Sequence, residues 1–309
     1  MTVKEIRRSI GLRLRRAVPE QLRPTLRRGL DAVDPVRVLR HRRRTGETAP
    51  IPPRRLRARI GEPDIERFLR DGRAVANVLS AAAAQTGSPL ESARRVLDFG
   101  CGCGRILQPL LQARGTLDGL AGCDVDRQAV SWLADHTSGL VDCRVNDFLP
   151  PLPFEAGHFN VVYTVSILTH LDEPTQDAWL AELHRVLVPG GVALVSVHGG
   201  YPYDVFRRGR QSGTSQGLLR RLRTHGPLTQ EGFVFEPYDS AHGRQEELPG
   251  ISGAYGLAFQ TRQRVLERWS DRFSVEAHLD RALSGWQDLV VLRARDATTA
   301  PRLGSVSAQ

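Results

Sequence analysis

The residues best suited to chemistry lie between Val96 and Phe148. The stretch Val96-Leu-Asp98-Phe-Gly100-Cys101-Gly102-Cys103-Gly104-Arg sets a carboxylate and three alternate glycines between an apolar run and a helical pattern. Glycine turns tightly and lets a ligand approach the main chain. Amides left open at such a helix start would favour an anionic group, for example a carboxylate. Two further apolar runs end in acids, Ala121-Gly-Cys-Asp124 and Val145-Asn146-Asp147-Phe148. A carboxylate there can accept two vicinal hydroxyls or an amino group. The spacing excludes a G-x-G-x-x-G dinucleotide fingerprint, because the third glycine would fall on Arg105 or Leu107.

The elements that must position these groups alternate between strand and helix. Short apolar runs predict strands at Arg95–Phe99, Leu117–Cys123, Val141–Val145, Phe159–Tyr163 and Val192–Val197. Apolar spacing of three and four predicts helices at Asp64–Gln85, Gly104–Ala113, Arg127–His136 and Gln176–Leu187, the last terminated by Pro189-Gly190-Gly191. Such alternation implies a parallel sheet with helices on both faces. Residues 199–257 hold eleven glycines and four of the five tyrosines, with little periodicity. A helix at Thr261–Phe273 and strands at Phe273–Leu279 and Gln287–Arg293 follow, then a polar tail at 297–309.

As a set, these motifs resemble those of class I S-adenosylmethionine-dependent methyltransferases, in the right order over residues 63–295. The resemblance implies an α/β Rossmann-like fold, a doubly wound, mostly parallel seven-stranded sheet with an antiparallel last strand. It also implies S-adenosyl-L-methionine as cofactor, held by Asp98, Gly100, Cys101, Gly102, Gly104, Asp124, Val125, Asn146, Asp147, Phe148 and Val165. In it, Asp124 holds the ribose hydroxyls, Asp147 takes the adenine amino group, and Phe148 lies against the adenine. The family usually has Asp where this chain has Asn160, a structural position.

Methyl transfer from a sulfonium is an in-line displacement, and a hydroxyl acceptor must lose a proton to a base. His198, ending the fifth strand, and His170, in Ser166-Ile-Leu-Thr-His170-Leu, are the candidate bases; Tyr201, Tyr203 and Tyr255 are candidates for the acceptor pocket. After the fourth strand stands Thr164-Val165-Ser166, unlike the Asn/Asp-Pro-Pro-aromatic motif that nucleic-acid amino methyltransferases share, and no Pro-Cys occurs anywhere. These features favour a small-molecule acceptor, with O-methylation of a sugar, lipid-linked or secondary metabolite as the expectation. RNA or protein methylation, or cofactor binding without chemistry, are the alternatives. Cys101, Cys103, Cys123 and Cys143 lack the paired spacing of structural zinc, so no metal is expected.

The formal charge of +9 is unevenly spread. Residues 1–60 hold 18 Lys and Arg against 5 acids, while the remainder is net negative by 4. Val3, Ile6, Ile10, Leu14 and Ala17 make one stripe of a basic amphipathic helix, Pro19, Pro24 and Pro35 interrupt regularity, and Pro50, Pro52 and Pro53 mark a linker. The expected organisation is a basic extension at 1–60 and a catalytic domain at 61–296 with an acceptor-side insertion at about 199–257. The extension suits an anionic membrane surface or nucleic acid. The expected location is cytoplasmic, with a peripheral membrane association as one option, since Arg interrupts the N-terminus too often for an export signal.

Overall fold

In the computed structural model the described residues are 23–113, 119–209, 211, 214–239 and 254–296. The stripe expected at 3–17 and the tail at 297–309 lie outside them. The chain divides into two compact units, Met1–Leu69 and Arg70–Gln309.

The first unit is more regular than its prolines suggest. Helices α1 (Arg23–Ala32), α2 (Asp34–Thr45) and α3 (Arg54–Arg59) follow one another. Pro24 and Pro35 sit in first turns, where a missing N–H leaves nothing unpaired, so they start helices rather than break them. Asp34, buried in the first turn of α2, takes Arg57 Nη2 at 2.7 Å and Nη1 at 3.3 Å, and the Arg54 amide at 2.7 Å. Ala49, Ile51 and Pro52 are buried, so the expected linker is a packed segment. Helix α4 spans Ile65–Gln85.

The second unit is built on a seven-stranded sheet. Its strands are β1 (Val96–Phe99), β2 (Leu120–Asp124), β3 (Asp142–Val145), β4 (Phe159–Thr164), β5 (Leu187–Val197), β8 (Phe273–Leu283) and β9 (Gln287–Ala294), in the order β3-β2-β1-β4-β5-β9-β8. The first five are parallel, and β9 runs antiparallel to both β5 and β8. This is the Rossmann-like order, reversing direction at β1/β4. Helices α5 (Leu107–Ala113), α6 (Arg127–His136) and α7 (Glu173–Val186) connect the parallel strands. Asp126 and Asp172 cap α6 and α7, the first accepting the Gln128 and Ala129 amides and the second that of Thr175.

Two cores cover the sheet faces. Leu97, Phe99, Val162, Trp179, Leu183, Val195 and Phe273 fill one, and Leu79, Val96, Leu107, Leu133, Val161, Leu194 and Val291 fill the other. Adjacent residues of β1 and β4 go to opposite cores, which is why these strands read as unbroken apolar runs. Asn160 ties β4 to the start of β1, with the Arg95 amide donating to Oδ1 at 3.1 Å, so its structural assignment holds.

Two expectations need correction. Strand β5 already begins at Leu187, and Pro189-Gly190-Gly191 lies in an irregular pairing with β4, with φ of 72° at Gly190, instead of closing the helix. Residues 199–257 are not irregular throughout. They carry α8 (Gly200–Arg207), α9 (Gln216–Thr224), β6 (Phe233–Pro237) and the start of β7 (Gly256–Gln260), with β6 and β7 paired antiparallel. Tyr203, Phe206, Leu218, Leu222 and Phe259 give this segment its own small core.

Candidate active site

The glycine loop follows β1, and its amides are already engaged. Gly100 and Cys101 N–H donate to the Cys123 carbonyl at 2.8 and 3.0 Å, Gly102 N–H donates to Asp124 Oδ2 at 2.8 Å, and Gly104 N–H to the Cys101 carbonyl at 2.9 Å. The expected anion cradle is therefore not formed by these four amides: the first three lash the loop to β2, and that of Gly104 closes the loop on itself. The following helix starts at Leu107, not Gly104. Gly100 has φ of 84°, and a Cβ there would fall 2.3 Å from Ile167 Cδ1. The turn after β4 thus rests directly on the loop.

With its amides engaged, the site is rich in acceptors instead. Asp98 is 2% exposed and its Oδ2 has no hydrogen-bond partner. Burial pushes its carboxyl up to about 8. The Tyr163 hydroxyl on β4 acts in the opposite direction, although the pair falls short of hydrogen-bond geometry. Asp124, half-buried at the end of β2, accepts the Gly102 and Asp126 amides, both at 2.8 Å, and burial raises its carboxyl too. At the end of β3, Asn146 is buried with Oδ1 unpartnered, while Asp147 is exposed and Phe148 half-buried against the core. Val125 and Val165 are half-buried beyond β2 and β4. Cys101 Sγ lies 3.1 Å from where a Cβ on Gly122 would stand, so that residue is a small packing group under the loop.

Ligand donors would match this set. An ammonium, ribose hydroxyls and an adenine amino group would meet Asp98, Asp124 and Asn146-Asp147 at three adjacent strand ends. Two buried, unpartnered acceptors, Asp98 Oδ2 and Asn146 Oδ1, are what such a ligand would satisfy.

Residues 96–191 match the family model described as a methyltransferase domain. Together with the strand order, this decides the family. The chain carries a class I S-adenosylmethionine-dependent methyltransferase domain. An uncharacterized methyltransferase of Synechocystis is 34% identical over 113 residues, 34% of this chain and 48% of the relative. The match thus spans about half the length of that relative. Among solved structures, a protein of Pyrococcus horikoshii superposes with a TM-score of 0.48 at 17% identity, covering 71% of this chain and 90% of that one. The glycopeptide N-methyltransferase MtfA, solved with S-adenosyl-L-homocysteine, gives 0.48 at 16% identity, covering 72% and 90%.

Beyond the ends of β4 and β5, both candidate histidines come together, with ring centroids 6.1 Å apart. His170 Nδ1 lies 2.9 Å from the Gly256 carbonyl and 3.0 Å from Tyr238 Oη; His198 Nδ1 lies 3.3 Å from the Ala258 carbonyl. A carbonyl can only accept, so each Nδ1 carries the hydrogen and each Nε2 the lone pair. Carbonyls two residues apart on β7 thus set both tautomers. The same segment continues the pairing, with Gln260 N–H donating to the His198 carbonyl at 2.9 Å and Asp172 N–H to the Ala254 carbonyl at 3.1 Å.

The two rings differ in setting. His198 is 4% exposed and stacked on Phe259, and burial, aided by nearby His170, pushes it down to about 3. His170 is half-buried among Tyr238 and Tyr255. Tyr201 is 44% exposed beside Trp286, with the Arg281 guanidinium 3.8 Å over its ring. Tyr203 is no pocket residue: it is fully buried and its hydroxyl donates to the Gly226 carbonyl at 2.7 Å. Sequence reasoning missed Tyr238 and Trp286. It also missed the network below them, where Ser166, at φ of 64°, donates its amide to Ser196 Oγ at 2.8 Å and accepts Gln287 Nε2 at 2.7 Å. Among the described residues the cysteines form no metal-type cluster; one grouping, His278, Asp280 and Asp288, has that character.

Proposed function

We propose that the chain transfers a methyl group from S-adenosyl-L-methionine to a hydroxyl of a small molecule, with His170 as the base. The observation that carries this reading is the pair of β7 carbonyls, which fix the Nδ1–H tautomer and leave a basic Nε2 on a half-buried ring at the strand ends. A neutral amine acceptor can attack with its own lone pair, whereas an alcohol needs a base, so a tautomer-locked histidine favours oxygen. When bound, the cofactor supplies an electrophilic methyl on a positively charged sulfur. Asp98, Asp124 and Asn146-Asp147 would hold its amino-acid, ribose and adenine parts. Ser166 and Ile167 fix the floor between the loop and the acceptor.

His198 is too weak a base, at about 3, to take a proton from an alcohol near neutral pH. Its role in this reading is to position His170 and to wall the pocket with Phe259 and Trp286. Tyr201, Tyr238, Tyr255 and Trp286 offer ring faces and hydroxyls, a lining compatible with a sugar or an aromatic metabolite.

The test is transfer of tritium from methyl-labelled cofactor into fractionated extract. Label in the low-molecular-weight fraction, stable to mild acid and base as an ether is, and lost with Asp124→Ala and His170→Ala, supports the proposal. Label in RNA or protein, or tight binding of S-adenosyl-L-homocysteine without transfer to any fraction, overturns it.

A further inference from the structure

Helices α1 and α2 of the first unit carry an unusual surface. Seven large apolar side chains are exposed among the described residues, and four of them, Leu26, Val33, Val36 and Leu39, fall within these helices and their junction. Of these four, Val36 and Leu39 are the barest, at 59% and 50% exposure. On α2 the residues Val36, Leu39, Arg40 and Arg43 share one face about 100° wide, from helical geometry.

The charge around this stripe is not cancelled. Asp31 and Asp34, the acids of residues 23–45, are bound by Arg54 and Arg57. Arg28, Arg37, Arg40 and Arg43 are exposed and meet no carboxylate among the described residues. Arginine beside a bare aliphatic stripe can lay its stem along apolar material while its head meets an anion.

This combination selects among polyanions. Single-stranded nucleic acid is held by base stacking on aromatic rings, and residues 23–59 contain no Phe, Tyr or Trp. Phosphate contacts alone give no reason to keep Val36 and Leu39 bare. A second copy of the same surface would set arginines against arginines. We infer that α1 and α2 form a docking surface for an anionic lipid bilayer, with Val33, Val36 and Leu39 entering the headgroup boundary and Arg37, Arg40 and Arg43 pairing with lipid phosphates. The inference stands whether or not the methyl acceptor is the one proposed above.

Flotation of the full chain with phosphatidylcholine vesicles, with and without phosphatidylglycerol, tests it. Binding is expected to the mixed vesicles alone, weakening as salt rises. Replacing Arg37, Arg40 and Arg43 together by Gln should lower partition by about 100-fold. The pair Val36→Ser and Leu39→Ser should lower it by about tenfold or more, with salt dependence retained. Both variants should bind S-adenosyl-L-homocysteine as the parent does, which separates loss of docking from loss of the fold or of the methyltransferase site. Equal binding to both vesicle types, binding to neither, or parent-like binding of the triple variant overturns the inference. So does RNA binding that the triple variant loses while vesicle binding is absent.

Discussion

Asp98 offers the sharpest test, because its carboxyl is both buried and unpartnered. At about 8, some nine-tenths of the cofactor-free molecules hold it neutral near pH 7. A ligand ammonium favours the ionised form, so S-adenosyl-L-homocysteine should bind with loss of a proton from Asp98. The expected release near pH 7 is about 0.9 proton, and affinity should rise about 50-fold between pH 6 and 8. Above that range the gain flattens, since Asp98 is then ionised in the cofactor-free protein too. Calorimetry in two buffers of different ionisation enthalpy reads the proton count directly. Asp98→Asn removes the titrating group and should abolish both the release and the slope. The sign for folding is opposite. Because the native state keeps a proton that the unfolded chain gives up, cofactor-free stability falls as pH rises from about 4 to 8, by about 4 kcal/mol near pH 7. Asp98→Asn should therefore flatten this fall. A parent that releases no proton on binding, or an Asp98→Asn variant that keeps the pH slope, refutes the reasoning.

Four further outcomes follow from contacts elsewhere. Gly100→Ala, with its Cβ 2.3 Å from Ile167 and φ of 84°, should lower stability by about 2–3 kcal/mol in thermal melts, and Ile167→Ala in the same chain should recover part of it. His170→Gln should reduce kcat by about a hundredfold or more while leaving S-adenosyl-L-homocysteine affinity within about twofold. His198, lowered to about 3, makes stability fall as pH drops below the unfolded value of about 6.5, by roughly 1.4 kcal/mol per pH unit, and His198→Phe should flatten that acid limb in urea titrations. Arg57→Met leaves Asp34 buried without its partner and should destabilise the first unit by about 3 kcal/mol, read by hydrogen exchange of α2 and α3, with Asp34→Asn in the same chain restoring part of it.

The strand ends that carry the candidate cofactor residues were legible because their signals are local. Each acid ends a short apolar strand, and parallel strands aligned in one sheet bring those ends together. Asp98, Asp124 and Asn146 are therefore neighbours in space for the same reason that each is recognisable in sequence. The state of the loop amides was not legible. Whether Gly102 offers its N–H to a ligand or to Asp124 depends on a contact spanning 22 residues. The insertion was hidden for a related reason. Its helices are short, and residues 238–255 separate β6 from β7, too long a connection for the short turn signature that marks a hairpin. The prolines of the first unit misled because Pro in a first helical turn is ordinary, whereas the same residue two turns later would end the helix.

The surroundings of His170 and His198 show why placement alone could not rank the two histidines. Each follows a strand of the central sheet, and by sequence each has equal claim. What separates them is β7, which reaches His170 from 86 residues away and His198 from 60. The strand gives both rings the same tautomer, yet it buries one and leaves the other half-open. Two protonated imidazoles 6.1 Å apart would repel, and desolvation makes His198 the one that stays neutral. A phenyl ring could stack on Phe259 equally well, but it would leave the Ala258 carbonyl without its Nδ1–H donor. Histidine at 198 thus combines an apolar face with a fixed donor, and burial keeps it neutral.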